Sequence, residues 1–512
     1  MSVDAERPPR LGRGLILRAS LAGFLVIAAT AAALSTTVIL EVSRVKDIFT
    51  RKGRQSIVIP EVTRAQAGGP RTILMIGSDQ RYADKKLKLK PRSDTMLLAR
   101  VNPDTNAISV LSIPRDLKVD IPGHGSDKIN ASFELGGPRL TVRTIKGLFE
   151  KVNHDKFPIN NVLVVNFGTF RRAVDYIGGV YVDVDRRYFN DNSGGQNYAT
   201  IDIQPGYQEL KGRDALDYVR YRHTDNDLIR AARQQDFLSQ ARNMAGFKKL
   251  LTVGDRDKLA RAFSRYFQYD RSFTKTQEIF SMARLGLFLA QQKPAVHKIA
   301  FPAYDAPNPA LDSRLYYRPA ELRQVIRDFM QTRSSKAPRT VSTPSAADRA
   351  TQRARRKRNK NRTVSGPGLV DARREGENMA VLADPKLNFP FYFPGLRNAT
   401  GAYADDKPRL YTIRDETGKR HQAYRLVISK GLAGQYYGVQ GMTWKAPPIL
   451  DNPSGTRVVN GRRLQLYKDG SHIHIVSWRT RRAVYWITNT LTQGLSNDQM
   501  VAIAASLRRL KQ

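Results

Sequence analysis

Four arginines, two aspartates and a glutamine pair fall within Tyr218–Gln235, which reads YVRYRHTDNDLIRAARQQ. Guanidiniums repel one another, so crowding them calls for a counter-anion, and arginine's planar fork suits phosphate best. Tyr218-Val219-Arg220-Tyr221-Arg222 alternates with period two. That predicts a strand with Arg220 and Arg222 on one face. His223 to Asn226 reads as a turn and Asp227 as a helix N-cap. In the helix that follows, Arg230, Arg233 and Gln234 are spaced to share a face near its start. The competing reading is a solvated strand face followed by an ordinary basic helix.

A second group of residues could hold a metal. An apolar strand, Arg71 to Ile76, ends in Gly77-Ser78-Asp79-Gln80-Arg81. Arg92-Ser93-Asp94 opens another strand, Thr95 to Val101, and a third, Ala107 to Ile113, ends in Pro114-Arg115-Asp116. An up-down-up meander would bring Asp79, Asp94 and Arg115 to one sheet edge. Two carboxylates beside arginines suit a hard divalent cation bridging to phosphate oxygens. Taken singly, each aspartate is better read as a turn cap; taken with the arginine cluster, the metal reading is preferred. No Cys/His ligand set, Ser–His–Asp arrangement or Gly-rich phosphate loop is evident.

The elements around these motifs alternate. Leu140 to Lys151 has amphipathic helical spacing, Asn161 to Phe167 reads as a strand, and Phe170 to Ile177 as a helix stopped by Gly178-Gly179. Val180 to Val184 is a further strand. After the basic cluster come helices through Gln291, a strand at His297 to Phe301 and a helix from Pro319 to Met330. Such alternation argues for a layered α/β domain.

These motifs, together with Lys128-Ile129-Asn130-Ala131, resemble the LytR–CpsA–Psr family in kind and order over about 71–330. The resemblance implies a layered α/β/α catalytic domain outside the cell, anchored in the membrane. It also implies a phosphotransferase moving a glycopolymer from a polyprenyl pyrophosphate carrier onto peptidoglycan. Asp79 and Asp94 would hold Mg²⁺. Arg81, Arg115, Lys128, Asn130, Arg220, Arg222, Arg230 and Gln234 would bind the pyrophosphate. Asp116 and Asp225 are candidates for the base that takes the acceptor proton. Ile229 departs from the glycine that members often carry before the arginine. Water as acceptor would make the protein a polyprenyl-pyrophosphate hydrolase. A further alternative is a non-enzymatic, membrane-anchored regulator or polyanion binder.

The remaining chain frames this domain. Lysine and arginine total 85 against 46 acidic residues, a formal charge of +39, which favours an anionic partner. There is no cysteine, hence no disulfide and no thiolate site. Residues 1–18 read as a cytoplasmic tail with Arg7, Arg10, Arg13 and Arg18. The next segment, 19–40, is uncharged and, at about 22 residues, spans roughly 33 Å as a helix. It is expected to be a single membrane-crossing signal-anchor, although Ala31-Ala32-Ala33 is compatible with cleavage. Residues 41–70 form a connector, 71–331 the catalytic domain and 332–381 a basic disordered linker. A smaller α+β domain of unknown role, 382–512, is expected to be separate. Tyr436, Tyr437, Trp444, Trp478 and Trp486 suggest either a sugar platform or core packing. No motif residue lies beyond Gln235, so this last domain should be dispensable for the chemistry. Neither a helix-turn-helix nor an RNA-binding signature is present, so nucleic acid is not an expected partner.

Overall fold

The computed structural model describes residues 56–66, 68–79, 91–193, 199–221, 227–244, 267–275, 294–308, 311–332, 368–431 and 435–510, with scattered positions between 277 and 288. The expected tail 1–18, membrane segment 19–40, most of the connector and the linker through 367 lie outside these residues, as do Arg81, Arg222 and Asp225. No helix among the described residues is long and apolar enough to cross a membrane.

In chain order the first half comprises β1 (Ser56–Ile57), β2 (Arg71–Ser78), β3 (Ser93–Asn102), β4 (Ala107–Ile113), β5 (Lys118–Ile121), β6 (Gly125–Lys128), α1 (Ala131–Asn153), β7 (Asn161–Asn166), α2 (Phe167–Tyr176), β8 (Val180–Val184), β9 (Tyr188–Asn190), β10 (Ile201–Ile203) and β11 (Gly206–Leu210). Then follow α3 (Gly212–Arg220), α4 (Asp227–Asn243), β12 (Gln268–Asp270), β13 (Ala295–Ile299), β14 (Ala303–Asp305), β15 (Leu315–Tyr317) and α5 (Pro319–Gln331). The central sheet runs β1-β12-β7-β2-β3-β4-β13. Strands β2, β3 and β4 form the expected antiparallel meander, and β7 lies parallel to β2. Alternation along the strands sorts their side chains onto two faces. Leu74, Ile76, Met96 and Leu98 pack under Ile145 and Phe149 of α1 and Ile326 and Phe329 of α5. Met75 and Leu97, one residue out of step, face the other way. The layered α/β expectation for this half therefore holds.

The second half comprises β16 (Leu369–Asp371), α6 (Arg373–Ala383), β17 (Leu396–Asn398), β18 (Ala402–Tyr403), β19 (Arg409–Arg414), β20 (Arg420–Ser429), β21 (Tyr436–Met442), β22 (Gly455–Val459), β23 (Arg462–Asp469), β24 (His472–Arg479), β25 (Val484–Thr488) and α7 (Asn497–Ala505). Its sheet has the order β18-β20-β21-β25-β24-β23-β22, with β19 also paired to β20. Asn460 and Gly461 both adopt positive φ between β22 and β23, the conformation a two-residue hairpin needs. Helix α7 starts with a capping box between Ser496 and Gln499. Replacing Ser496 with Ala should cost about 1 kcal/mol, read from the urea midpoint.

Two expectations for this half are corrected. Residues 369–381 are not linker: they form β16 and most of α6, and Met379, Ala380 and Ala383 enter the core beneath the sheet. Asp371, Arg373, Arg374, Glu375 and Glu377 give the start of this stretch a linker-like look, while one stripe of α6 is buried. Helix α7 ends at Ala505, where the Ser506 N–H donates to the carbonyls of Ala502 and Ile503. Most importantly, the half is not a separate body. Val182, Tyr207 and Tyr218 share one hydrophobic core with Ile413, Met442, Trp444 and Trp486. At its centre, Asp183 is 3% exposed and accepts hydrogen bonds from Arg425 Nη1 at 2.9 Å and Trp486 Nε1 at 2.9 Å. Trp444, Trp478, Trp486 and Tyr437 are buried, so they serve packing and form no platform.

Candidate active site

The meander delivers the acidic pair as its geometry requires. Asp79 follows β2, Asp94 sits at the start of the antiparallel β3, and Arg115 follows β4, all at one end of the sheet. The Arg92 N–H donates to Asp79 Oδ1 at 2.8 Å. Arg115 Nη1 donates to Asp94 Oδ1 at 2.7 Å. Asp116 lies between two cations, 3.1 Å from Lys128 Nζ and 3.4 Å from Arg115 Nε. That engagement suits a residue that orients its neighbours better than one that accepts a proton. Asn130 is anchored by its N–H to the Arg115 carbonyl at 3.1 Å, at the start of α1.

The basic cluster is built differently from the expected strand. Residues 212–220 form helix α3, with Ala215, Leu216, Tyr218 and Val219 buried at helical spacing. Helix α3 begins at Gly212, a position that admits only glycine because a Cβ there would come within 2.4 Å of the Arg171 carbonyl oxygen. Period-two alternation over only five residues is also what a helix end shows when Tyr218 and Tyr221 face one core. The pairing of Arg220 and Arg222 on a strand face is thus withdrawn. Arg220 instead ends α3, where its Nε and Nη2 lie 3.0 and 2.9 Å from Asp217 Oδ1. Its guanidinium carbon lies 5.4 Å from the Phe167 ring centre. Burial pushes the Asp217 carboxyl up, and Arg220 opposes that rise.

Helix α4 follows the turn as expected but includes Asp227 as its first residue instead of its cap, and it does not gather all three residues on one face. Arg230 and Gln234, one turn apart, line the cavity. Gln234 Nε2 donates to Thr95 Oγ1 and to the Val219 carbonyl, both at 3.0 Å. Arg233 points away and is fully buried, donating to the Tyr218 and Tyr221 carbonyls at 2.8 and 3.0 Å. It satisfies the end of α3, where carbonyls lack helical partners.

These parts enclose a cavity of about 730 Å³. One end is polar: Asp79, Arg92, Asp94, Arg115, Asp116, Lys128, Asn130, Arg220, Arg230 and Gln234 line it. The remainder is apolar, built from Met75, Leu97, Val165, Phe167, Phe170, Leu216, Val219, Phe237 and Leu238. The arrangement therefore fits a ligand with a compact, highly anionic head and a long hydrocarbon tail. Sequence reasoning missed Arg92, although it belongs to the motif that supplied Asp94. It also missed Asn166, which caps α2 by accepting the Thr169 N–H at 2.9 Å and lines the cavity.

The donor chemistry of this pocket fits Mg²⁺. Asp79 and Asp94 offer hard oxygen ligands at the polar end, and Mg²⁺ commonly takes one or two carboxylates and fills its shell with phosphate oxygens and water. No group of three or more acidic or histidine side chains placed to hold a metal occurs among the described residues.

A sequence model of the LytR_cpsA_psr family matches residues 36–326. The polyisoprenyl-teichoic acid–peptidoglycan teichoic acid transferase TagU of Oceanobacillus iheyensis is 35% identical over 192 residues, 36% of this chain and 54% of that protein. The enzyme of the same description, TagT, of Bacillus subtilis is 32% identical over 236 residues, 46% of this chain and 71% of that protein. The chain thus spans about half the length of the first of these relatives and rather more of the second. Among solved structures, TagT bound to LIIa-WTA aligns with a TM-score of 0.40 at 26% identity, covering 55% of this chain and 96% of that one.

Proposed function

Because this chain belongs to the LytR–CpsA–Psr family, we propose that it transfers a glycopolymer from a polyprenyl pyrophosphate carrier to peptidoglycan, with its catalytic half outside the cytoplasmic membrane and residues 19–40 as the anchor. The observation that carries this reading is that one cavity combines cationic and acidic groups with a hydrocarbon lining. A pyrophosphate lipid presents the matching two parts, and the relatives are named for teichoic acid transfer from polyisoprenyl carriers.

In this scheme the acceptor hydroxyl oxygen attacks the sugar-side phosphorus. The bond from that phosphorus to the bridging oxygen breaks, the polyprenyl phosphate leaves, and the acceptor proton passes to a base. Arg115, Arg220 and Arg230 offset charge on the phosphate oxygens, which is where phosphoryl transfer gains most from a protein. Asp94 and Asp116 fix the Arg115 guanidinium from two sides, so it need not reorganise as charge develops. Gln234, held by Thr95 and the Val219 carbonyl, sets the cavity face of α4. When bound, Mg²⁺ held by Asp79 and Asp94 would neutralise charge on the departing phosphate. The apolar walls hold the prenyl chain and exclude water from the phosphates.

Incubating the purified protein with a labelled polyprenyl-pyrophosphate glycan and peptidoglycan fragments tests the reading. Label on peptidoglycan, dependent on Mg²⁺, is the expected result. Release of the label as free sugar phosphate alone would favour hydrolysis, and the absence of both products would refute the proposal. The metal has its own check. Asp94→Asn keeps the size and removes a charge, so the Mg²⁺ concentration for half-maximal turnover should rise at least about tenfold. Unchanged Mg²⁺ dependence would remove Asp94 from the ligand set.

A further inference from the structure

No candidate site residue lies in the C-terminal half, yet that half grips the back of a helix that lines the cavity. Helix α4 turns Arg230 and Gln234 to the cavity. Asp236 and Gln240, also one turn apart, lie in the interface behind it, both buried. Gln240 Oε1 accepts the backbone N–H of Asp183 at 3.2 Å, and Gln240 Nε2 donates to Asp236. Lys298 of β13 places its Nζ 3.0 Å from Asp236 Oδ1 and 3.5 Å from Asp469 Oδ2. Asp469, the last residue of β23, also accepts the Lys298 backbone N–H at 3.3 Å. From β24, His474 Nε2 approaches Asp236 Oδ1 to 3.4 Å.

This cluster joins three bodies: the central sheet through Lys298, helix α4 through Asp236, and the C-terminal sheet through Asp469 and His474. Burial pushes the Asp236 carboxyl up, but Lys298 and His474 outweigh burial and hold it well below the usual range. Burial lowers the Lys298 ammonium, and Asp236 and Asp469 more than restore it. A buried ionic network tolerates little misalignment, since a displaced charge loses its partner where water cannot replace it. Asp236 is two residues from Gln234 on one rigid helix, so a shift of the back face is a shift of the cavity face.

We infer that the C-terminal half is a positioning element of the reaction centre, in which Asp469, through Lys298 and Asp236, fixes where α4 presents Arg230 and Gln234; this rests on the pyrophosphate reading of the cavity. Asp469 is a positioning residue, remote from the reacting atoms.

The test uses the full chain, a labelled polyprenyl-pyrophosphate glycan and peptidoglycan fragments, with lipid binding and label transfer measured separately. At a temperature where circular dichroism shows each variant fully folded, Asp469→Ala should lose roughly tenfold or more in kcat/KM, because small displacements of positioning groups have effects of that size. Asp469→Asn keeps an acceptor for the Lys298 N–H and should fall between Asp469→Ala and the wild type. Tyr411→Phe removes a different bond across the same interface, to the Tyr207 carbonyl at 3.0 Å, and should leave kcat/KM unchanged. Wild-type kcat/KM in Asp469→Ala, or an equal loss in Tyr411→Phe, would overturn the inference alone. Should Asp469→Ala fail to fold, Asp469→Asn decides by the same criterion. A wild-type chain that neither binds nor cleaves the lipid overturns the pyrophosphate reading and the inference with it.

Discussion

A chain ending at Thr332 is expected to lose its cooperative fold, and its activity with it. The truncation strips Trp444 from Tyr181 and both Trp444 and Trp486 from Tyr207. Each large side chain exposed in this way forfeits about 1.5–3 kcal/mol. It also removes Arg425 and Trp486 from Asp183. Breaking a buried pair by deleting one partner costs about 3–5 kcal/mol. Two such aromatics and one such pair already approach the roughly 5–15 kcal/mol that holds a domain folded. Thermal melting of the truncated protein, followed by near-ultraviolet circular dichroism, should show no sigmoidal transition. A monomeric truncation with a sharp melt and intact lipid turnover would restore the picture of two independent domains.

That picture followed from counting motifs, and strand β8 shows where it fails. Val180-Tyr181-Val182-Asp183-Val184 is buried at all five positions, although among the described residues β8 pairs only with β11. A two-stranded ribbon can bury both faces only if something else covers it, and an aspartate inside it demands a partner. The strand was legible in the sequence; the layer that covers it was not, because its residues lie more than 200 positions away. The acidic edge was fully legible, since antiparallel pairing of β2 with β3 and of β3 with β4 fixes which strand ends meet. The fate of Tyr218–Arg222 was not, because five alternating residues do not separate a strand from the last turn of a helix. Arg233 shows a further limit. Its spacing from Arg230 is compatible with one face, but whether a buried guanidinium meets a ligand or two backbone carbonyls depends on where α3 ends. The apolar cavity walls are drawn from β2, β3, β7, α2, α3 and α4, and no single segment announces them.

The largest effect on chemistry is expected at Arg220. Its guanidinium is held by Asp217 on one side and lies over Phe167 on another, which fixes it at the polar end of the cavity next to the hydrocarbon wall. A planar fork can bond Asp217 and a phosphate oxygen at the same time. A lysine keeps the charge, but its ammonium is a point donor and cannot reproduce both contacts in the same plane. Arg220→Ala should therefore lower kcat/KM for the pyrophosphate lipid by roughly ten- to a hundredfold, or about 1.5–3 kcal/mol, the usual worth of a charge-assisted bond. Arg220→Lys should recover only part of that loss. Asp217→Asn leaves the guanidinium in place but loosens its aim, so it should fall between the wild type and Arg220→Ala. Arg233→Lys gives the contrast: it forfeits bonds to the Tyr218 and Tyr221 carbonyls, so its deficit should appear in the melting temperature before it appears in turnover. If Arg220 merely balances Asp217, Arg220→Lys will match wild-type turnover, and Arg220→Ala will lose only stability. Steady-state kinetics on the four variants, each with its melting curve, separates these outcomes.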